Sequence, residues 1–128
     1  MIANDIMTRR VCTTFPQASV QEVAQLMVRE RISGVPVIDE SSGRLIGIVT
    51  EADIIKNMGN EDLRVAAIMS RQLITVEEDT PVSEIAALLT ERRIKRVPVV
   101  KDGRVVGIVS RADIVHAVAQ GHLVIRHW

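Results

Sequence analysis

The chain has 128 residues, of which 47% are apolar and only 2% aromatic, and sixteen basic residues balance sixteen acidic ones. This length suffices for one ordinary domain, or for two very small ones that share an aliphatic core. The neutral balance excludes a global attraction to nucleic acid or to a membrane surface. No apolar run reaches the ~18–20 residues of a membrane span, and residues 1–10 lack the apolar core of a signal peptide. The single cysteine, Cys12, excludes an internal disulfide, so we expect a cytoplasmic protein.

The predicted elements begin with a short strand over residues 11–14, where β-branched residues are frequent. A helix follows over 20–31, because its apolar residues recur at helical spacing and Ser19 opens a capping box. The continuous apolar run 35–38 predicts a strand that is buried on both faces, with a proline at its beginning or at a sheet edge. After a hairpin turn, a further strand is predicted over 45–49.

The same order of elements returns later in the chain. Residues 6–40 align with 68–102 at an offset of 62, and 43–57 align with 103–117 at an offset of 60. Of these 50 aligned positions, 21 are identical, which indicates a tandem duplication. We divide the sequence into repeats 1–64 and 65–128. The second copy predicts strands over 73–76, 97–100 and 105–109 and a helix over 82–93 that starts after Thr80 and Pro81.

Each repeat closes with the same helix-start pattern. Gly-Ile-Val is followed by a hydroxyl residue and, three residues later, by a carboxylate: Thr50 with Asp53 and Ser110 with Asp113. This spacing is typical of a capping box, which satisfies backbone donors at a helix start. A carboxylate at the end of a strand can also accept hydrogen bonds from the two hydroxyl groups of a sugar diol. The residues alone leave both interpretations open.

On three repeated motifs the chain resembles a pair of CBS domains (cystathionine β-synthase-type repeats), also called a Bateman module. The motifs are Asp-Ile-Met-Thr at 5–8 with its partner at 68–70, the Val-Pro-Val segments at 32–37 and 94–99, and the two Gly-Ile-Val-Thr/Ser-x-x-Asp stretches. The resemblance covers about residues 5–120. It implies an α/β (α+β type) fold in which two β-α-β-β-α repeats pack about a pseudo-two-fold axis. It also implies clefts between the repeats that bind AMP, ADP, ATP or S-adenosylmethionine.

Carried over by position, the resemblance assigns candidate residues to two clefts. The first would contain Asp113, Ser110, Ala112, Ile108, Thr8, Val11, Cys12, Ile32, Ser33 and Gly34. The second would contain Asp53, Thr50, Ala52, Ile48, Ser70, Leu73, Ile74 and Ile94.

The two clefts are predicted to differ in charge. Residues 89–111 hold seven basic and two acidic side chains, whereas the equivalent stretch 27–51 holds three basic and four acidic ones. Lys95 and Arg96 replace the small pair at 33–34 and adjoin the buried Val-Pro-Val strand, from which they could reach a phosphate. We therefore expect the Asp113 cleft to be the better nucleotide site.

Other residues carry weaker signals. The histidines at 116, 122 and 127 lack metal-ligand spacing, and Cys12 is expected to be a small buried hydrophobe. For Met7 and Met69, plain packing and pocket lining are equally expected. Family members commonly dimerise through their helices, so dimer contacts are expected at Val115, Val118, Ala119, Ile85 or Leu89. The apolar tail 121–128 is either a frayed end or a strand or plug added to a neighbouring subunit, and its apolar residues favour the second.

Three classes of function fit the sequence to different degrees. The first is a homodimeric regulatory module that binds an adenosyl nucleotide, requires no cofactor, and signals to an effector protein or to another part of a longer chain. The second is an enzyme, for which no nucleophile, metal site or acid–base pair can be found. The third is a structural or nucleic-acid-binding module with empty clefts, which the scarcity of aromatic residues disfavours.

Overall fold

The computed structural model describes residues 1–121, which form two compact units. Unit 2 is the continuous segment Cys12–Leu73, and unit 1 combines Met1–Val11 with the chain from Ile74 onward. Relative to the predicted repeats 1–64 and 65–128, whose division stays a prediction, the units exchange residues 1–11 and 65–73. The reason is that the segment before each first helix pairs with the last strand of the other copy: Thr8 bridges Ile108, and Ser70 bridges Ile48.

Both units contain helices and short strands, so the predicted mixed α/β class is confirmed. Unit 2 contains α2 (Val20–Glu30), β1 (Gly34–Ile38), β2 (Leu45–Thr50), α3 (Glu51–Lys56) and α4 (Val65–Ile68). Unit 1 contains α1 (Ala3–Ile6), α5 (Val82–Glu91), β3 (Arg96–Lys101), β4 (Arg104–Ser110) and α6 (Arg111–Ala119). The capping box predicted at the start of α2 is present, with Ser19 and Glu22 exchanging hydrogen bonds.

Each unit is built on one antiparallel hairpin. In unit 2 Val35 pairs with Val49, and in unit 1 Val97 pairs with Val109. The pairing register shifts between residues 37 and 38 of β1 and between residues 99 and 100 of β3. The residues of β1 are buried from Gly34 through Val37, as predicted for a strand covered on both faces. The hairpins therefore form the centre of two aliphatic cores.

The strands predicted over 11–14 and 73–76 are wrong, because each shrinks to one isolated bridge. Thr14 bridges Val37, donating its N–H to the carbonyl of Pro36 at 3.0 Å. A parallel ladder would continue toward residue 12 with a bond from the backbone nitrogen of residue 36. Proline has no N–H, so that bond is missing. Pro98 ends the pairing of Val76 in the same way.

The cores also correct part of the predicted dimer surface. Ile85 and Leu89 are 0% and 2% exposed in the core of unit 1, so they are unsuited to contact a second chain. Val115 and Val118 on α6 are 66% and 50% exposed, and dimerisation through them stays a prediction. The predicted role of the tail concerns residues outside the described range. Within residues 1–121, none of the helices combines the length and the apolar character needed to cross a bilayer.

Candidate functional site

The predicted capping geometry is present at the start of α6. Asp113 Oδ2 accepts hydrogen bonds from the backbone N–H of Ser110 at 2.8 Å and from its hydroxyl at 3.0 Å. The Ser110 Oγ in turn lies 3.1 Å from the Asp113 nitrogen and accepts its N–H. The carboxylate is therefore fixed at the end of β4 by its own helix start.

The equivalent start of α3 has the same carboxylate contacts. Asp53 Oδ2 accepts from the backbone N–H of Thr50 at 2.8 Å and from its hydroxyl at 3.1 Å. Both aspartates are half-buried. The capping interpretation thus holds in both units, and it leaves the second carboxylate oxygen available for other partners.

In unit 1 that second oxygen is occupied by a residue from the N-terminal segment. Thr8 exchanges backbone hydrogen bonds with Ile108, at 2.8 and 3.0 Å, and its hydroxyl donates to Asp113 Oδ1 at 3.3 Å. Ser70 exchanges the equivalent backbone bonds with Ile48 in unit 2. Each strand end therefore carries a carboxylate from the following helix and a hydroxyl residue from a pairing segment.

Each pairing segment brings a methionine side chain close to the glycine of Gly-Ile-Val. A Cβ added at Gly107 would lie 2.6 Å from the sulfur of Met7, and one added at Gly47 would lie 2.6 Å from the sulfur of Met69. Both methionines are 8% exposed members of their cores. The structure thus supports packing as their role. At both glycines, the methionine side chain fills the space that a Cβ would take.

Arg111 makes contacts beside Ser110 that the sequence pattern alone does not reveal. Its backbone N–H donates to the carbonyl of Lys95 and its Nε donates to the carbonyl of Ile94, both at 3.0 Å. It therefore ties the segment before β3 to the start of α6. Glu51 holds the equivalent position and donates its backbone N–H to the carbonyl of Ser33 at 3.0 Å, but its side chain has no donor. The sequence does show that a glutamate in the first repeat is replaced by an arginine at the aligned position of the second, and this difference could have indicated the contact.

These contacts define two half-sites, each within one unit. The Asp113 half-site consists of Thr8, Ile94, Lys95, Ile108, Ser110, Arg111 and Asp113. The Asp53 half-site consists of Ser33, Ile48, Thr50, Glu51, Asp53 and Ser70.

The remaining predicted residues occupy varied positions. Ala112 and Ala52 are exposed on the first turns of their helices, Arg96 and Gly34 begin strands, and Ile74 and Ile32 pack against the cores. Val11 is half-buried and Leu73 is exposed. Cys12, predicted to be buried, is half-buried. Each predicted cleft draws residues from both units, and its assembly stays a prediction.

Within residues 1–121, no cluster of three or more histidine, cysteine or acidic side chains is arranged to hold a metal ion. His116 lies 2.9 Å from the amide nitrogen of Gln120, one helical turn away. The described half-sites thus offer hydroxyls, carboxylates and, in unit 1, cations.

Comparison with known proteins gives the same picture of two repeats. The model of the CBS domain family matches residues 3–60 and 65–120. The CBS domain pair of protein MJ0100, solved with 5′-methylthioadenosine and S-adenosyl-L-methionine, superposes with a TM-score of 0.86 and 34% identity, over 94% of this chain and 98% of that one. CBSX2, solved in complex with AMP, superposes with a TM-score of 0.86 and 28% identity, over 95% and 98% of the two chains.

Among curated proteins, L-aspartate semialdehyde sulfurtransferase of Methanocaldococcus jannaschii is 37% identical over 114 residues. That match covers 88% of this chain but 22% of the enzyme. Across four of the curated relatives, the chain spans between 20% and 38% of the relative's length. The similarity therefore concerns one region of larger proteins.

Proposed function

Because the chain belongs to the CBS domain family, we propose that it is a regulatory module that binds an adenosine-containing ligand at the Asp113 half-site. The candidate ligands are AMP, ADP, ATP and S-adenosylmethionine. Binding would favour one conformation of the chain and so signal to an effector protein, or to another part of a longer chain. The ligands named for MJ0100 and CBSX2 support an adenosyl group as the shared chemistry.

The observation that carries the proposal is the state of the Asp113 carboxylate. One oxygen is held by Ser110, while the other accepts a 3.3 Å hydrogen bond from the Thr8 hydroxyl. That contact is long for an O–H···O bond, whose usual length is about 2.7–2.8 Å. A ribose hydroxyl can therefore replace or share the Thr8 contact without breaking the helix cap. A carboxylate that accepts hydrogen bonds from two adjacent hydroxyls also favours ribose over deoxyribose, because deoxyribose lacks one of the two.

The replacement of Thr8 gives the ligand a way to influence the fold. Thr8 belongs to the segment that pairs with Ile108 and that Met7 anchors beside Gly107. A ligand that competes for Asp113 changes how tightly this segment is held. A ligand can shift a conformational equilibrium only by its difference in affinity for the two states.

Isothermal titration calorimetry tests the ribose assignment. We expect Asp113→Ala to weaken AMP or ATP binding more than Asp53→Ala does, because Lys95 and Arg111 supply positive charge near Asp113. Asp113→Asn is the matched control, since an amide retains an acceptor for the cap but lacks the carboxylate charge. Greater damage from Asp53→Ala would overturn the assignment to Asp113.

A thermal-shift panel tests the function itself. The panel contains AMP, ADP, ATP, S-adenosylmethionine, NAD and short nucleic acids. Stabilisation by an adenosyl compound supports a sensor, because a ligand that binds the native state alone raises its melting temperature. Absence of any adenosyl effect, with stabilisation by nucleic acid, would favour the structural or nucleic-acid-binding alternative.

We further propose that the module is a homodimer that buries Val115 and Val118 of α6. Their exposure on one helix supports this, because apolar side chains grouped on a helix are a common feature of subunit contacts. Light scattering after size exclusion is expected to show a dimer for the wild type and a monomer for Val115→Glu. A Val115→Glu variant that remains dimeric would contradict the assigned surface.

A further inference from the structure

The two half-sites share the carboxylate and hydroxyl groups that we propose for ribose binding, but three aligned neighbouring positions differ in charge. The same two contacts occur in both units: each carboxylate accepts one hydrogen bond from the N–H and one from the hydroxyl of its cap residue, Asp113 from Ser110 and Asp53 from Thr50. The difference lies in the segment before the first hairpin strand and in the first residue of the helix. At these aligned positions, unit 1 has three cations and unit 2 has a glutamate with two small residues.

In the Asp113 half-site, hydrogen bonds fix the Arg111 side chain and the backbone of Lys95. The Nε of Arg111 is fixed on the carbonyl of Ile94 at 3.0 Å, and its backbone N–H is fixed on the carbonyl of Lys95. This places a guanidinium and an ammonium on segments that are bonded to each other at the start of α6. Arginine and lysine in that setting stabilise a phosphate through charge-assisted hydrogen bonds.

The Asp53 half-site has the same backbone frame with the charge reversed. Glu51 donates its N–H to the carbonyl of Ser33, as Arg111 does to Lys95, so the Glu51 side chain starts from the equivalent place. Its carboxylate adds to that of Asp53. Arg31 lines the same cavity as Ser33 and Glu51, but unit 1 has an arginine at the aligned position, so this cation does not distinguish the two half-sites. A phosphate dianion there would meet two carboxylates and one arginine, a less favourable balance than the additional cations of unit 1 provide. A neutral nucleoside or a positively charged sulfonium would not be repelled.

We propose that the Asp53 half-site takes an adenosyl ligand without phosphate, such as a nucleoside thioether or a sulfonium nucleoside, while the Asp113 half-site takes a phosphate-bearing nucleotide. This inference rests on the proposed adenosyl-binding function and assigns a different ligand class to each half-site. The residues that determine the choice are Glu51 and Ser33 in unit 2 and Arg111 and Lys95 in unit 1. The protein would then respond to two kinds of adenosyl compound independently.

Calorimetric titration of the full chain with AMP and with 5′-methylthioadenosine tests this division. The wild type is expected to bind one equivalent of each, and saturation with one compound is expected to leave the other's stoichiometry unchanged. Asp113→Ala should weaken AMP about tenfold or more and leave 5′-methylthioadenosine within about twofold, and Asp53→Ala should do the reverse. Raising the salt concentration should weaken AMP alone, because salt screens the phosphate contacts.

Charge exchange between the repeats is the sharper arm of the test. The double variant Ser33→Lys with Glu51→Arg is expected to bind a second equivalent of AMP, and Lys95→Ser with Arg111→Glu is expected to lose the first. Glu40→Arg is the control, because it changes the net charge as Glu51→Arg does but lies exposed in the hairpin turn of the same unit. Circular dichroism of each variant verifies that the fold is intact.

The outcomes separate this inference from the proposed function. If the wild type binds two equivalents of AMP with similar affinity, or if AMP and 5′-methylthioadenosine compete for one site, the division by phosphate is refuted while the sensor function stands. If neither compound binds the wild type, the proposed function itself fails. A second equivalent of AMP in Glu40→Arg would show that net charge alone acts, and would also refute the division.

Discussion

Replacing Gly107 by alanine tests the contact that positions Thr8 beside Asp113. The added Cβ would lie 2.6 Å from Met7 Sδ, 2.9 Å from its Cγ and 3.2 Å from its Cβ. Met7 is 8% exposed in the core of unit 1, so it has little room to move away. Overpacking of this kind costs about 1–3 kcal/mol, while the reduced freedom of the unfolded chain returns about 0.4–1 kcal/mol. We expect a net loss of about 1–2 kcal/mol in the free energy of unfolding.

A double-mutant cycle measured by urea denaturation isolates the contact. Met7→Ala alone is expected to cost about 2–5 kcal/mol, as a buried methionine truncation does. In that background the space beside residue 107 is open, so Gly107→Ala should become neutral or slightly stabilising. The coupling energy between the two positions is then about 1–3 kcal/mol.

Gly47→Ala is the matched control, because its added Cβ would meet Met69 in unit 2 and the backbone oxygen of Ser70 at 3.1 Å. Met7→Ala should not relieve that substitution. The reasoning is refuted if Gly107→Ala costs the same with Met7 present and absent, since the glycine would then be required for a reason other than the approach of the methionine.

Three further substitutions test separate parts of the structure. Ser19→Ala removes the acceptor for the Glu22 N–H, and urea denaturation is expected to show a loss of about 1 kcal/mol. Ile85→Ala empties a fully buried position and should cost about 2–5 kcal/mol, whereas a residue in a subunit contact would change the dimer dissociation constant instead. The Ser42 hydroxyl, 2.9 Å away, holds the pKa of Asp39 below its ordinary value, with a further contribution from the Ser41 N–H. Because the folded pKa is the lower one, this contribution is present above the unfolded pKa and is lost as the pH falls through the folded value. Melting temperatures of Asp39→Asn should therefore decline less steeply with acidification below pH ~4 than those of the wild type.

Much of the fold could be predicted because its signals are local. Ser19 and Glu22 are three residues apart, and the capping box they form depends on nothing distant. The buried hairpin strands follow from short apolar runs between turn residues. The capped carboxylates, Asp53 and Asp113, were likewise identified from a spacing of three residues.

The features that escaped prediction depend on distant partners. The segment 11–14 has the composition of a strand, but its pairing stops because Pro36, more than twenty residues away, lacks the N–H that the ladder needs. In the sequence, Arg111 is one basic residue among many. Its hydrogen bond to Ile94 spans seventeen positions, so local spacing does not reveal it. The packing role of Met7 required knowledge that Gly107 faces it.

The discontinuity of unit 1 has a consequence for the order of folding. Residues 12–73 contain every strand and helix of unit 2, so that unit can complete as soon as they leave the ribosome. Residues 1–11 are synthesised before unit 2, yet they must wait for partners such as Ile108, about a hundred positions later. Closing so long a loop has an entropic cost. That cost is lower once unit 2 has folded, because most of the chain between residue 11 and residue 108 is then no longer flexible. Of the two units, the one that contains Thr8 therefore completes its folding second during synthesis.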